Sequence, residues 1–500
     1  MSAITRFLGR PLNLGVITAT IAANAMLVAV TTPVVDPDVW WVAAAGRRVL
    51  AGAGIPRTNY FSYVEPAHPW IMHEWLLGPA YAALLERFGP ACFDALAGGV
   101  LACALALLSA AIVGRARHLG IGIAVLGATL ICFGSRFLSG RPTGVALLFP
   151  LAIATLAFRE RFPMWAAATT IGLELVWVNA HGSFPLGVVL LSLAAVEASR
   201  DRRTRVAAAC LAALATLATP YGLALHRFVL GYLLGSEGAY RAIHAHIREF
   251  GTIWQAWGST IGPVDVVGLA VVLAVALGAL GTKRHWPRAL FCLALAALAI
   301  RQARNVELAG LLAAVLLLPY LDELGDRVAK HEPGPPDGRR LRVAAAILTP
   351  AAAIGIAAFS VVYGRRSAAD WIDGGRSFLA AYAAVPDGAN AYVPFGRAGV
   401  AIWYGAPRGV RVYFDPRNDC YAPGTFEDFF ALDEGATPPG ERDAVLDASG
   451  TTAALVPVAG SLDRSLSAAP GWSRAGAWGT WRVYVRAAGV ERHLTGGDEP

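Results

Sequence analysis

Hydrophobic residues in this chain come mostly in unbroken runs, not in the alternation of a half-buried strand or the stripe of an amphipathic helix. As helix, the longer runs can cross a ~30 Å hydrocarbon core. They fall at 14–33, 91–113, 120–137, 145–158, 164–180, 184–198, 206–219, 263–282, 288–301, 307–321 and 343–363, which predicts about eleven transmembrane helices. Arg6 and Arg10 precede the first run, as in a signal peptide, but its length favours a retained span. Some runs are short and carry interior polar residues such as Glu174 and Asn179, a property of helices inside a bundle or beside a water-filled cavity.

After residue 364 the pattern changes. ANAYVPF, VRVYF, TTAALVPV and TWRVYVRA read as strands separated by Gly, Pro and Asp turns, while SFLAAYAAV and the stretch from FEDFFALDE to ERDAVLDAS read as helix. The expected fold class is an α-helical polytopic membrane protein with a small extracytoplasmic α/β domain at the C-terminus. The membrane domain spans 1–363 and includes a first outer loop at about 34–90; the mixed α/β domain spans 364–500.

With 56% hydrophobic and 15% charged residues, the composition excludes an ordinary soluble protein. The net charge of +7 is gathered into alternate connectors, at Arg115 and Arg117, at Arg159 and Arg161, at Arg200 to Arg205, at Lys283 to Arg288 and at Arg327 to Arg342. Under the positive-inside rule these connectors and the N-terminus are cytoplasmic and the C-terminal domain lies outside a bacterial inner membrane. The same distribution argues against a nucleic-acid partner. Five of the six cysteines lie in apolar spans, and no CxxC spacing occurs, so neither a disulfide framework nor a cysteine metal site is expected.

With orientation fixed by Lys and Arg alone, the unusual polar motifs fall on the opposite side. Asp36 and Asp38 follow the first span, His73 and Glu74 stand in MHEWL, Arg141 in SGRPTG, Asn179 and His181 in WVNAHGSF, Tyr221 in TPYG, and Arg301, Arg304 and Asn305 in RQARN. Scattered structural groups have no reason to choose one side, so the asymmetry predicts an extracytoplasmic site lined by helix ends. A carboxylate there can accept a proton from an attacking hydroxyl while cationic groups stabilise a departing phosphate. Asp36 and Asp38 also suit a divalent cation. Each motif has a plainer reading: Asp36 or Asp38 as a helix cap, HEWL as an interfacial aromatic helix, Arg141 as a headgroup contact, Asn179 and His181 as turn-stabilising groups, and Arg301 and Arg304 as snorkelling anchors. FDPRND, with Asp415, Arg417 and Asp419, reads as a turn. The segment 220–265 reads as a lid or a lipid groove; His244 and His246, two apart, do not share a helix face.

The stretch DVWWVAAAGRRVLAGAG resembles the first outer loop of GT-C membrane glycosyltransferases, the superfamily of protein O-mannosyltransferases, aminoarabinose transferases and oligosaccharyltransferases. It puts Asp38 on the position of the family's catalytic Asp; Val39 stands where a second acid is usual, and Asp36 precedes instead. DPDVWWV, RTNYFSYV, HEWL, RPTG, NAHG, TPYG, RN and YFDPR resemble the motifs of a bacterial GT-C-like branch along nearly the whole chain, with Val42 in place of a His found in that branch. The resemblance implies an inverting transferase that moves a sugar from a polyprenyl-phosphate donor to a glycan, lipid or protein acceptor of the envelope. Asp38 and Asp36 would be catalytic, and His73, Glu74, Arg141, Asn179, His181, Arg301, Arg304 and Asn305 would bind substrate. A transporter or flippase for a lipid-linked substrate is the alternative, and a non-catalytic scaffold for envelope assembly a third.

Overall fold

The computed structural model describes residues 36–134, 140–235, 239–329 and 377–486. The expected spans at 14–33 and 343–363, and the basic linker at 330–342, lie outside the described residues. By their contacts the described residues divide into two units, one from 90–223 and 247–329, the other from 36–89, 224–246 and 377–486.

The chain opens with α1 (Pro37–Leu50) and α2 (Leu77–Phe88), both in the second unit. Then come α3 (Ala91–Leu108), which runs into a π-helical turn at Ser109–Val113, α4 (Leu119–Phe133), α5 (Pro142–Ala146), α6 (Leu148–Ala157), α7 (Met164–Ala180), α8 (Pro185–Glu197) and α9 (Arg202–Ala215). Helices α10 (Leu223–Leu234) and α11 (Ala239–His246) precede α12 (Pro263–Leu280), α13 (Trp286–Arg301), α14 (Val306–Leu316) and α15 (Leu318–Ala329).

In the first unit the apolar runs within the described residues are helical, and their ends follow local chemistry. Helix α12 starts at a proline, which needs no N–H partner there, and Asp265 accepts the Gly262 backbone N–H at 2.8 Å. Among the described residues it alone is long and apolar enough to cross a membrane as a single helix; the pair formed by 303–316 and 318–327 qualifies when joined across a 50° bend. Close helix approach rests on small residues: a Cβ on Gly310 would lie 2.2 Å from the Phe133 ring.

The second unit contains β1 (Asn390–Tyr392), α16 (Phe395–Gly405), β2 (Arg411–Val412), α17 (Pro423–Asp433), α18 (Arg442–Ala448), β3 (Ala453–Pro457), α19 (Ser461–Ala468), β4 (Trp472–Trp478) and β5 (Trp481–Arg486). The sheet order is β2-β1-β3-β5-β4, with β1 parallel to β2 and β3, and β5 antiparallel to β3 and β4. The segment between α1 and α2 extends this sheet: Val412 donates its N–H to the Phe61 carbonyl at 3.0 Å, and Tyr63 donates to the Val412 carbonyl at 3.3 Å. Helix α1 crosses α2 so closely that a Cβ on Gly46 would sit 1.9 Å from the Gly78 backbone. It is also fastened to α16, because the Arg47 guanidinium lies over the Trp403 ring at 3.3 Å and donates to the Trp403 carbonyl at 3.1 Å. Helix α11 meets α17, where the His246 ring stacks on Phe430 at 4.6 Å and its Nε2 lies 3.3 Å from Glu427.

Candidate active site

The start of α1 carries the two acids expected to do chemistry. Asp36 has extended backbone, and its Oδ1 accepts the Asp38 backbone N–H at 2.9 Å, so it caps the helix. Asp38 lies in the first turn, where the helix presents its positive end. Its Oδ1 accepts the Trp41 indole N–H at 3.2 Å. This bond fixes one oxygen of Asp38 through an aromatic ring that is itself packed.

The packing can be followed outward. The Trp41 ring meets Trp70 edge-on at 5.9 Å, and Trp70 in turn lies beneath the Arg417 guanidinium at 4.6 Å, with Phe61 also under it at 5.1 Å. Arg417 is fully buried with Asp415 and holds it by two bonds, Nε to Oδ1 at 2.8 Å and Nη2 to Oδ2 at 2.7 Å. Nη2 also donates to Asn59 Oδ1 at 2.6 Å, Asn59 donates to the Cys420 carbonyl at 3.0 Å, and the Tyr421 hydroxyl donates to Asp415. FDPRND is thus more than a turn: it is the buried anchor of the segment between α1 and α2. The sequence signal was the Asp–Arg pair inside an aromatic segment, but its partners Asn59, Phe61 and Trp70 lie in a distant part of the chain.

A second cluster stands next in the chain. His73 Nε2 lies 2.8 Å from Glu74 Oε1, and its ring packs against Phe228 at 5.6 Å. Burial pushes the His73 imidazole down, but the Glu74 carboxylate, helped by Asp419, reverses this and holds it at about 8. Burial raises the Asp419 carboxyl to about 7, the Glu74 charge adding to the rise and His73 opposing it. Glu74 Oε2 and Asp419 Oδ2 are both buried without a hydrogen-bond partner among the described residues. Asp419, whose sequence context FDPRND reads as a turn, belongs to this cluster.

In the first unit, one short 3₁₀ turn, Arg248–Phe250, gathers two of the expected phosphate-binding groups. Glu249 pairs with Arg141 at 3.2 Å, and the Phe250 ring lies 4.3 Å from the Arg304 guanidinium. Asn305 Nδ2 donates to Gln302 Oε1 at 3.2 Å, while Arg301 stands exposed at the end of α13. Asn179 and His181 are each bonded within the first unit: Asn179 Nδ2 donates to the carbonyls of Leu175 and Ala218, both at 2.9 Å, and His181 Nδ1 lies 2.8 Å from the Ser183 hydroxyl. Asn179 ties the end of α7 to the turn after α9.

No family model matches the sequence, and no curated protein matches it. Solved structures do match. ArnT from Cupriavidus metallidurans bound to undecaprenyl phosphate aligns with a TM-score of 0.55 at 12% identity, over 96% of this chain and 99% of that one. The archaeal oligosaccharyltransferase AglB from Archaeoglobus fulgidus, in complex with an inhibitory peptide and a dolichol-phosphate, aligns at 0.53 and 10% identity, over 88% of this chain and 69% of that one. The Archaeoglobus fulgidus oligosaccharyltransferase in complex with Zn and sulfate aligns at 0.53 and 11%, over 94% and 73%. At such identities the likeness establishes the fold alone: a mostly helical chain with a C-terminal sheet region, built like these solved structures.

Proposed function

We propose that this protein transfers a sugar from a polyprenyl-phosphate donor to an envelope acceptor on the outer face of a bacterial inner membrane. The observation that carries the reading is Asp38, held at a helix start by the Trp41 indole on a fold whose solved members include complexes with dolichol-phosphate and undecaprenyl phosphate. Asp38 accepts the proton of the acceptor hydroxyl as that oxygen bonds to the anomeric carbon; the bond from that carbon to the phosphate oxygen breaks, and the lipid phosphate departs. Attack from the face opposite the leaving group inverts the anomeric centre. Arg141, Arg301, Arg304 and His73 supply positive charge to the departing phosphate, and Glu74, Asn179, His181 and Asn305 orient the sugar and phosphate by hydrogen bonds. Asp36 fixes the helix start that presents Asp38. Asp36 and Asp38 would be the oxygen ligands of a divalent cation, which would offset phosphate charge. The protein itself has a membrane fold; its orientation, with the N-terminus cytoplasmic and the domain from 364 outside, belongs to this proposal.

The experiment is sugar transfer by the full-length protein in proteoliposomes, with a panel of polyprenyl-phosphate sugars and release of polyprenyl phosphate as readout. Release with an acceptor present, lost in Asp38→Asn, supports the reading. Movement of intact donor between leaflets without release would replace it by the transporter reading.

A further inference from the structure

Two of the basic connectors that sequence reads only as orientation signals, at 115–117 and 283–288, meet in the first unit around a cavity of about 240 Å³. Arg115 and Arg117 reach it from the turn after the π-helical segment, Arg284 and Arg288 from the start of α13, and Asp322 and Glu323 from α15. Most of the cations there have an acidic partner. Arg117 pairs with Asp326 at 2.6 Å, Arg284 with Glu323 at 2.9 Å, and Arg288 with Glu197 at 2.6 Å. Asp322 is already engaged by the backbone N–H groups of Arg117 and His118, at 3.0 and 3.2 Å.

Arg115 differs. Its guanidinium donates to the Thr155 carbonyl, has no carboxylate partner among the described residues, and has Arg159 and Arg288 as its charged neighbours. Burial, with these two cations, pushes it down to about 10. A partly buried cation among cations is costly unless an anion completes the site. One wall of the cavity is apolar, formed by Phe158, Leu318 and Pro319.

We propose that this cavity binds the phosphodiester headgroup of an anionic phospholipid of the inner leaflet, with Arg115 as the principal contact and the apolar wall receiving the start of the acyl chains. The site is separate from the sugar-transfer reading and rests only on the membrane fold and on these connectors being cytoplasmic. It is one regulatory or anchoring contact that the outer chemistry does not need.

The test is binding of short-chain phosphatidylglycerol to the full-length protein in detergent, followed by native mass spectrometry, with phosphatidylcholine of equal chain length and inorganic phosphate alongside. Phosphatidylglycerol is expected to bind at least about tenfold tighter than phosphatidylcholine, and millimolar phosphate is expected not to displace it. Arg115→Gln, which keeps a donor for the Thr155 carbonyl, should weaken binding about tenfold. Pro319→Glu, which puts an acid in the lining at a helix start that tolerates one, should do the same without changing the lipid-free Tm. Equal binding of both lipids, unaltered binding in both variants, or displacement by free phosphate would each overturn the assignment.

Discussion

Two ionic clusters of the second unit, built from neighbouring residues of one turn, are paired to different degrees. Around Asp415 and Arg417, both carboxylate oxygens accept bonds, the guanidinium is bidentate, and its faces are covered by Phe61 and Trp70. Around Asp419, two carboxylates meet one imidazole, and an oxygen on each of Glu74 and Asp419 has no hydrogen-bond partner among the described residues. The Asp415–Arg417 cluster, in which both carboxylate oxygens are met and Arg417 Nη1 alone of the guanidinium nitrogens lacks a partner among the described residues, fixes geometry, because a buried ion pair tolerates no loss of a partner. The unsaturated one stores cost that a proton or a ligand can relieve. A site needs both: rigid support for Asp38 and groups still able to respond.

The largest effect should come from breaking the Asp415–Arg417 pair. Arg417→Met leaves the buried Asp415 without its cation and should cost about 3–5 kcal/mol of stability, read as a fall in thermal unfolding temperature in detergent. A loss under about 1 kcal/mol would place this cluster with ordinary surface pairs.

The unsaturated cluster should show itself through pH. In the folded protein Asp419 keeps its proton to about pH 7, whereas an ordinary Asp loses it near 3.8. The folded state then binds more protons in that window, so this group's contribution to stability is full at low pH and is lost as pH rises through about 7. His73, raised from 6.5 to about 8, contributes below 6.5 and loses its contribution as pH rises through about 8. Asp419→Asn should therefore match wild type at pH 4 and exceed it by about 1–3 kcal/mol at pH 9. A flat Tm difference across that range would remove the buried-acid account.

Between the clusters stands the aromatic relay. Trp41→Phe keeps a ring against Trp70 but removes the donor to Asp38, so turnover should fall about tenfold, equivalent to ~1.4 kcal/mol, with little change in Tm. An equal loss in Tm would mean that Trp41 packs and does not position. The smallest effect is expected at the cap: Asp36→Ala should cost about 1 kcal/mol, and Asp36→Ser should restore most of it.

How much of this was legible follows from the range of the forces involved. Apolar runs announced helices because lipid or a helical core demands long hydrophobic segments. Boundaries moved where a charged residue was put to structural use. The run expected at 206–219 is helical over Arg202–Ala215, and Arg205 turns inward to donate to the carbonyls of Ala157 and Arg159. The run at 307–321 divides at Leu317, just before Pro319, into α14 and α15. Four strands matched β-branched segments, but β4, with sequence WSRAGAW, lacks that composition and exists because β5 pairs with it.

The site was readable where its bonds are local. Asp36 and Asp38 sit two residues apart and are bound by donors within three residues. Arg417 on Asn59 and Trp70, Asp419 beside Glu74, and Arg141 on Glu249 depend on folding that joins distant segments. No spacing rule reports such pairs.

The most direct test of the central claim is the turnover of a polyprenyl-phosphate sugar by wild type, Asp38→Asn and Asp36→Asn, with donor affinity measured in parallel. Asp38→Asn should lose about 10²–10⁴ in kcat while binding donor normally, and Asp36→Asn should lose far less. Wild-type turnover in Asp38→Asn would contradict its role as the base.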